Sequence, residues 1–509
     1  MGFWLLFIAL ALISGIADIT HFRNLPEQLI GQSDQANTAN VARNIVEGKG
    51  ATTDAIWLLT GGGIPGSAIP QPESYWSIYV AFFVAIFFKF FGASLSTLIL
   101  PAVLCKTATA ALSCIIALRI SKSIYSAPAI AVFLLFHPVI TDRLNGQSDI
   151  YLTLCVIVAL MLLISAITKQ SWRKFLAYGI VCGIAIGVKP SGGLLVGLLM
   201  TYLLFSGRLS RAAPQVGLAL IGLLIGIAPL VHHNYKYFDS PIGAGYALVN
   251  AAAKISFVTK DHNLGFYNPE PFEFRSANSG SENSPQSQGM RNISQFVQRL
   301  IAGDIAPAWQ LPFIFLSILL VARATRTPFF LRTTSYGALF SYNTIFLLAG
   351  GTLLGYVVHF ESRYWNFLIP LLAIMTVTAM GRLSRYIPLF VIATSLFSFA
   401  LAQRYYIPKP VPAGLAMAQK IIPPGAVVLT PDPWEFAFHT RLKAVVLPYT
   451  SNPSVLQGIA NRYSSQYLVI VNNNIRHEFY RPIIEGNLPR YLMPIYRDDN
   501  LIIAKFNWH

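Results

Sequence analysis

The stretch Gly31-Gln32-Ser33-Asp34-Gln35-Ala36-Asn37-Thr38-Ala39-Asn40-Val41-Ala42-Arg43-Asn44-Ile45-Val46-Glu47-Gly48-Lys49-Gly50 follows closely on the first apolar segment of the chain. It puts a carboxylate where water meets lipid. Charged side chains are costly in hydrocarbon, about 3 kcal/mol each at a span centre. A chain that holds Asp34, Arg43 and Glu47 beside a span therefore marks a polar site there.

Outward from this stretch, composition sets the class. Of 509 residues 54% are hydrophobic and only 11% charged, and the mean hydropathy is +0.54, a polytopic membrane composition. Apolar runs near the bilayer-crossing length of about 20 residues lie at 2–17, 97–118, 124–141, 149–168, 174–188, 191–206, 214–232, 309–322, 336–358, 365–380 and 385–402, about eleven spans. The first run lacks a basic n-region and a clean cleavage pattern, so it reads as a span and not as a signal peptide.

The net charge of +16 is spread over short connections between spans. That distribution fits membrane orientation and excludes a nucleic-acid surface. Basic clusters at Arg119/Lys122, Lys169/Arg173/Lys174, Arg208/Arg211, Arg323/Arg326/Arg332 and Arg382/Arg385 are all cytoplasmic under the positive-inside rule. With a cytoplasmic N-terminus, the loop 18–96, the turn 142–149, the tip 189–191, the loop 233–308, the turn 359–364 and the tail 403–509 then lie outside.

This topology requires that the aromatic segment Trp76–Phe91 does not cross. At 16 residues, about 24 Å as a helix, it is short for a span and reads as an interfacial helix on the outer side. The four cysteines, Cys105, Cys114, Cys155 and Cys182, fall within spans and read as packing residues. Gly61-Gly62-Gly63 has no preceding strand and no following Lys-Ser/Thr, so it reads as turn chemistry and not as a phosphate cradle.

Two polar portions stand apart from the spans. The loop 233–308 is Ser/Asn/Gly/Gln-rich over Ser276–Gln288 and carries a glycosylation-type triplet at Asn292. The tail alternates strand-like runs (Ala426–Thr430, Ala444–Pro448, Gln466–Val471, Leu501–Phe506) with helical ones (Gly414–Ile421, Pro453–Tyr463, Phe479–Glu485), which reads as a small α/β domain. The expected organisation is a membrane domain over 1–402 and an extracytoplasmic α/β domain over 403–509.

On this topology Asp34, Glu73, Arg143, Asp149, Lys189, His359, Glu361 and Arg363 all flank outward-facing span ends. Carboxylates together with cations suit a reaction in which a base deprotonates an acceptor while a phosphate leaves. Each residue has a plain structural reading as well: Asp149 can cap the helix it precedes, and Arg363 can reach to the headgroups.

The local patterns carry a resemblance. Asp34, then Ala42-Arg43-Asn44-Ile45-Val46-Glu47-Gly48, then Gln71-Pro72-Glu73-Ser74-Tyr75-Trp76 opening an aromatic helix that ends Lys89-Phe90-Phe91-Gly92, resembles the GT-C superfamily of integral membrane glycosyltransferases. It is similar to the group of the protein O-mannosyltransferases and the lipid A aminoarabinose transferase. Asn145-Gly146-Gln147-Ser148-Asp149, Gly183-Ile184-Ala185-Ile186-Gly187-Val188-Lys189-Pro190 and Ser362-Arg363-Tyr364 resemble further family elements. The tail with Thr430-Pro431-Asp432-Pro433-Trp434 resembles the periplasmic domain of many bacterial members.

The resemblance implies a mainly α, polytopic fold and an inverting transfer of a sugar from a polyprenyl-phosphate carrier to a lipid, glycan or protein acceptor. The expected setting is the outer face of a bacterial inner membrane. It implies Asp34 as general base, Glu73 and Asp149 as positioning residues for the acceptor or a metal, and Lys189, Arg363 and Arg143 on the donor phosphate. A divalent metal ion is used by some members and not others, and Asp34, Glu73, Asp149 and His359 are its candidate ligands here. The chain departs from the protein O-mannosyltransferases at Gln35, where those enzymes place Glu, which weakens the case for a protein acceptor.

Pro190-Ser191-Gly192-Gly193 joins two short helices that leave a groove for the lipid carrier, and the loop 233–308 reads as a lid. The rivals are a transporter or flippase for a lipid-linked glycan, which calls for internal repeats not seen here, and a glycan polymerase or ligase, with Arg275, Arg291 and Arg299 in the large outer loop.

Overall fold

The computed structural model describes residues 2–23, 30, 33–56, 69–74, 77–121, 125–141, 144, 148–205, 209–241, 336–357, 366–380, 386–405, 411, 413–447, 453–471, 480–498 and 501–507. These residues fall into two compact units. One is drawn from within Met1–Asn24, Ile99–Pro229 and Pro285–Ile407, the other from within Leu25–Leu98, Leu230–Ser284 and Pro408–His509.

In chain order the described elements begin with α1 (Gly2–Arg23), α2 (Ser33–Val46), β1 (Thr52–Thr53), β2 (Ala55–Ile56), β3 (Gln71–Pro72) and α3 (Ile78–Phe91). The helices α4 (Leu95–Ile120), α5 (Ser126–Leu135), α6 (Pro138–Thr141), α7 (Ser148–Lys169), α8 (Trp172–Val188), α9 (Leu194–Phe205) and α10 (Leu209–Phe238) follow. Next come α11 (Tyr336–Val357), α12 (Ile369–Met380), α13 (Tyr386–Tyr405) and α14 (Ala413–Ile421). The last part holds β4 (Val427–Thr430), α15 (Pro433–Thr440), β5 (Lys443–Val446), α16 (Pro453–Tyr463), β6 (Ser465–Val471), α17 (Arg481–Glu485), β7 (Leu492–Arg497) and β8 (Leu501–Phe506).

The first unit is helical. Each apolar run of the sequence is occupied by a helix except 309–322, which lies outside the described residues. Among the described residues four helices, Gly2–Thr20, Leu95–Ile120, Ser148–Lys169 and Leu209–Phe238, are long and apolar enough to cross a membrane. Leu5, Leu6, Ile8, Leu12, Ile13 and Ile16 on α1, and Ile221, Leu224 and Ile225 on α10, form exposed apolar faces of the kind that lipid tolerates and water does not.

Helices α8 and α10 touch backbone to backbone. A Cβ at Gly179 would meet the carbonyl of Ala219, one at Gly183 the backbone of Leu223 and Ile227, and one at Gly222 or Gly226 the carbonyls of Leu176 or Ile180. Two Gly-x-x-x-Gly pairs therefore face each other. Small residues are what allow membrane helices this approach, because lipid supplies no hydrophobic drive between them.

The unit also holds an ion pair between two residues that were not predicted as site residues. Lys106 of α4 pairs with Asp18 of α1, and both are essentially inaccessible. The ammonium also donates to Ser14 Oγ and to the Leu135 carbonyl, each at 2.9 Å, and Thr141 Oγ1 lies 3.5 Å from Asp18 Oδ1. All three ammonium hydrogens thus have acceptors, which is the condition for burying a charge in this setting.

The second unit joins the first polar loop to the tail. Its sheet has six strands in the order β2-β5-β4-β6-β8-β7. The run β2 to β6 is parallel, while β8 pairs antiparallel with β6 and β7 antiparallel with β8. The runs read from the tail coincide with β4, β5, β6 and β8 and with helices α14, α16 and α17, while α15, between β4 and β5, was not among them. β2 comes from the first loop: Ala55 pairs with Ala444 and Ile56 with Val445.

The core of the sheet is aliphatic, with Leu429, Val445, Leu468, Ile470 and Ile502 packed against Leu456, Ile459 and Tyr463 of α16. Pro494 falls on β7, the edge strand, where a missing N–H costs least, and the pairing shifts register beside it. Helix α15 starts on an Asp-Pro pair: Asp432 accepts the Glu435 N–H and Pro433 fills the first turn.

Helix α3 is 14 residues long, about 21 Å, capped by Ser77 through the Val80 N–H and ended by Gly92 at φ 82°. It buries Ile78, Val80, Ala81, Val84, Ala85 and Phe88, and leaves Phe82, Ile86, Phe90 and Phe91 exposed.

Candidate active site

Helix α2 carries Asp34 in its first turn, half-buried, where helix N-terminal N–H groups favour an acid. Behind it the helix is built for burial on two faces. Ala36, Ala39 and Ala42 are small and fully buried, and Val41 packs on Ile78 and Ala81 of α3. Asn37, Asn40, Arg43 and Asn44 recur at a spacing of three to four residues, which places them on one stripe. All four are buried.

Each member of the stripe makes a side-chain hydrogen bond. Asn37 Nδ2 donates to Glu73 Oε2 at 2.5 Å, and Thr53 Oγ1 donates to Asn37 Oδ1 at 2.6 Å. Thr53 Oγ1 accepts in turn from the Ala55 N–H at 3.2 Å. The direction of these bonds fixes the Asn37 amide with its NH2 toward the carboxylate. Glu73 is therefore tied to the helix that carries Asp34, one turn below it. The Glu73 carbonyl accepts from His233 Nε2 at 2.8 Å, so this ring nitrogen bears the proton.

Further along, Asn40 Nδ2 donates to the Trp434 carbonyl at 2.9 Å and Asn44 Nδ2 to the Thr52 carbonyl at 3.1 Å. Arg43 donates to the Ala437 and Phe438 carbonyls near the end of α15, to Asn40 Oδ1 and to Asp54 Oδ2 at 3.1 Å, with its guanidinium over the Phe438 ring. Burial pulls the Arg43 guanidinium below its usual value while Asp54 opposes that shift. The Ile30 N–H meets Glu435 Oε2 at 3.2 Å. The segment bearing Asp34 is thus bolted to the tail.

In the helical unit the sequence-predicted residues Asp149 and Lys189 come together. Asp149 lies in the first turn of α7, and Lys189 is the cap that ends α8 before the tight turn Pro190–Gly193. Lys189 Nζ stands 2.5 Å from Asp149 Oδ1, with the carboxylate 4% and the ammonium side chain 14% exposed. The α7–α8 hairpin closes a separation of 40 residues in sequence. Glu47 and Lys49 form a surface pair at 2.7 Å just past α2.

Arg143, His359, Glu361 and Arg363 lie outside the described residues, as do Gly61–Gly63, Asn292 and nearly all of the loop read as a lid. Among the described residues no group of three or more His, Cys, Asp or Glu gathers closely enough to hold a metal ion. The four cysteines are free thiols in helices.

Sequence reading passed over Asn37, Thr53, Asp54 and His233, and the pair Asp18–Lys106. The pair had a signal, a charged residue within or at the end of each of two apolar runs. The Asn/Arg stripe had one too, a polar face at helical spacing on a helix whose other face is Ala and Val.

Residues 76–233 match a family model described as dolichyl-phosphate-mannose-protein mannosyltransferase. The match contains Asp149 and Lys189 and begins after Asp34 and Glu73. The structure is similar to ArnT from Cupriavidus metallidurans bound to undecaprenyl phosphate, with a TM-score of 0.58 at 14% identity over 99% of this chain and 98% of that one. It is also similar to the oligosaccharyltransferase AglB from Archaeoglobus fulgidus in complex with an inhibitory peptide and a dolichol-phosphate. There the TM-score is 0.57 at 12% identity, covering 99% of this chain and 74% of that one. Comparison with curated protein sequences finds no match. The resemblance to the GT-C superfamily holds at the level of the fold, and with its apolar helices the chain is a multi-pass membrane protein.

Proposed function

We propose that this chain is a membrane glycosyltransferase that moves a sugar from a polyprenyl-phosphate carrier to a lipid, glycan or protein acceptor on the outer face of a bacterial inner membrane. In this reading about eleven spans cross the bilayer, Trp76–Phe91 does not, and residues 403–509 form an extracytoplasmic α/β domain. The observation that carries it is helix α2, a buried helix anchored along its length that holds an acid, half-buried, in its first turn. Similarity to lipid-phosphate-bound proteins of the same fold supports the choice of donor.

The roles follow from the chemistry. Asp34 takes the proton of the acceptor nucleophile as its oxygen or nitrogen attacks the anomeric carbon. The bond from that carbon to the carrier phosphate breaks, configuration inverts, and the electron pair leaves on the phosphate. Lys189, with Arg363 and Arg143, stabilises the charge developing there. Glu73 and Asp149 act as positioning groups.

The test is transfer from labelled polyprenyl-phosphate sugars by membranes containing the wild type or Asp34→Asn. A general base contributes about 10²- to 10⁴-fold, so a loss in that range is expected. Undiminished transfer by the variant overturns the assignment of Asp34, and transfer from one donor only identifies the sugar.

A further inference from the structure

Resting on the reading that Lys189 meets the carrier phosphate, we infer that Asp149 is the exchange counterion of that site, which yields Lys189 to the entering phosphate and reclaims it as the spent carrier leaves. The carboxylate and a phosphate oxygen are rivals for one ammonium. Lys189 Nζ is held by Asp149 Oδ1 at 2.5 Å with little water access to either group. A phosphate that binds Lys189 must weaken this pair, and it then lies beside a carboxylate of like sign.

Both effects lower affinity for a phosphate, so Asp149 opposes binding. The opposition serves turnover. Transfer converts a sugar phosphodiester into a phosphate monoester, which carries additional negative charge and would hold Lys189 more tightly than the donor did. A carboxylate that recaptures the ammonium favours release of that product. It also keeps Lys189 paired and aimed between turnovers, sparing a partly buried unpaired charge.

The sequence permits a clean test. Asp149 lies in the first turn of α7, so Asp149→Asn removes the charge and keeps the volume. Asp149→Ser is the second variant. Undecaprenyl phosphate is titrated into the full-length protein in nanodiscs, following thermal unfolding and direct binding. The expected result is tighter binding by both variants, about tenfold, and a larger stabilisation by saturating lipid than in the wild type, because the lipid-free variants lack the Asp149 carboxylate opposite Lys189. Lys189→Met weakens binding, and in its presence the further change Asp149→Asn no longer alters affinity.

Equal or weaker binding by folded Asp149→Asn and Asp149→Ser overturns the inference while leaving the donor reading in place. Wild-type protein that binds no undecaprenyl phosphate overturns the donor reading and the inference together.

Discussion

Arg43 is the point at which the helix bearing Asp34 can be loosened without touching the acid. Its side chain is about 5% exposed and makes four hydrogen bonds, two to carbonyls near the end of α15, one to Asn40 and one to Asp54. Arg43→Met leaves Asp54, itself 7% exposed, as a buried charge without its cation. Breaking a buried pair from one side costs about 3–5 kcal/mol. At 1.4 kcal/mol per factor of ten, the amides of α2 should exchange with solvent about 10²- to 10³-fold faster. Arg43→Lys keeps the charge but cannot fork to four acceptors, so it should fall between. Adding Asp54→Asn to Arg43→Met removes the stranded charge and should recover part of the loss. Hydrogen exchange read by mass spectrometry on peptides covering 33–46 measures all four proteins. If α2 protection is the same in wild type and Arg43→Met, or if the double variant is no better than the single one, the bolt between α2 and the tail is not what holds the helix.

Other outcomes follow from the same kind of reasoning. Lys106→Met removes the cation that faces the buried Asp18 carboxylate and should cost about 3–5 kcal/mol, seen as a lowered unfolding midpoint in detergent; an unchanged midpoint refutes a stabilising pair. Gly183→Leu and Gly226→Leu drive a side chain into the facing backbone of α10 and α8 respectively, so neither should give monodisperse protein, while Gly217→Leu, with open space at its Cβ, should. Asn37→Asp replaces a donor to Glu73 with a second carboxylate, and two acids at that separation must share a proton; the pH dependence of transfer should gain an ionisation that Asn37→Ala lacks.

Much of the helical unit was legible in the sequence because its signal is one-dimensional: an apolar run long enough for a membrane element needs no partner to be recognised. Four tail strands, β4, β5, β6 and β8, were legible by alternation and turn residues, whereas the edge strand β7 with its Pro494 was not. What stayed hidden depends on distant partners. β2 is two residues long, and only its pairing with β5, across almost 400 positions, makes it a strand. α15 is eight residues long, too short for a period, and was signalled only by the Asp432-Pro433 start. For the candidate site, the residue types and the order of Asp34, Glu73, Asp149 and Lys189 were readable. The bonds each makes were not, since Asn37 reaches Glu73 across 36 positions and Asp149 reaches Lys189 across 40. Asp149 illustrates the gap: it reads as a helix cap or acceptor ligand in sequence, and as the partner of a lysine in three dimensions.

The most direct measurement is single-turnover transfer of label from a polyprenyl-phosphate sugar, with undecaprenyl phosphate binding determined on the same preparations of wild type and Asp34→Asn. Labelled product from the wild type, with the anomeric centre inverted, and a variant that binds the lipid normally but transfers about 10²- to 10⁴-fold more slowly, is the expected result. Transfer by Asp34→Asn at the wild-type rate, or a wild type that binds the lipid yet forms no product from any labelled donor, would contradict it.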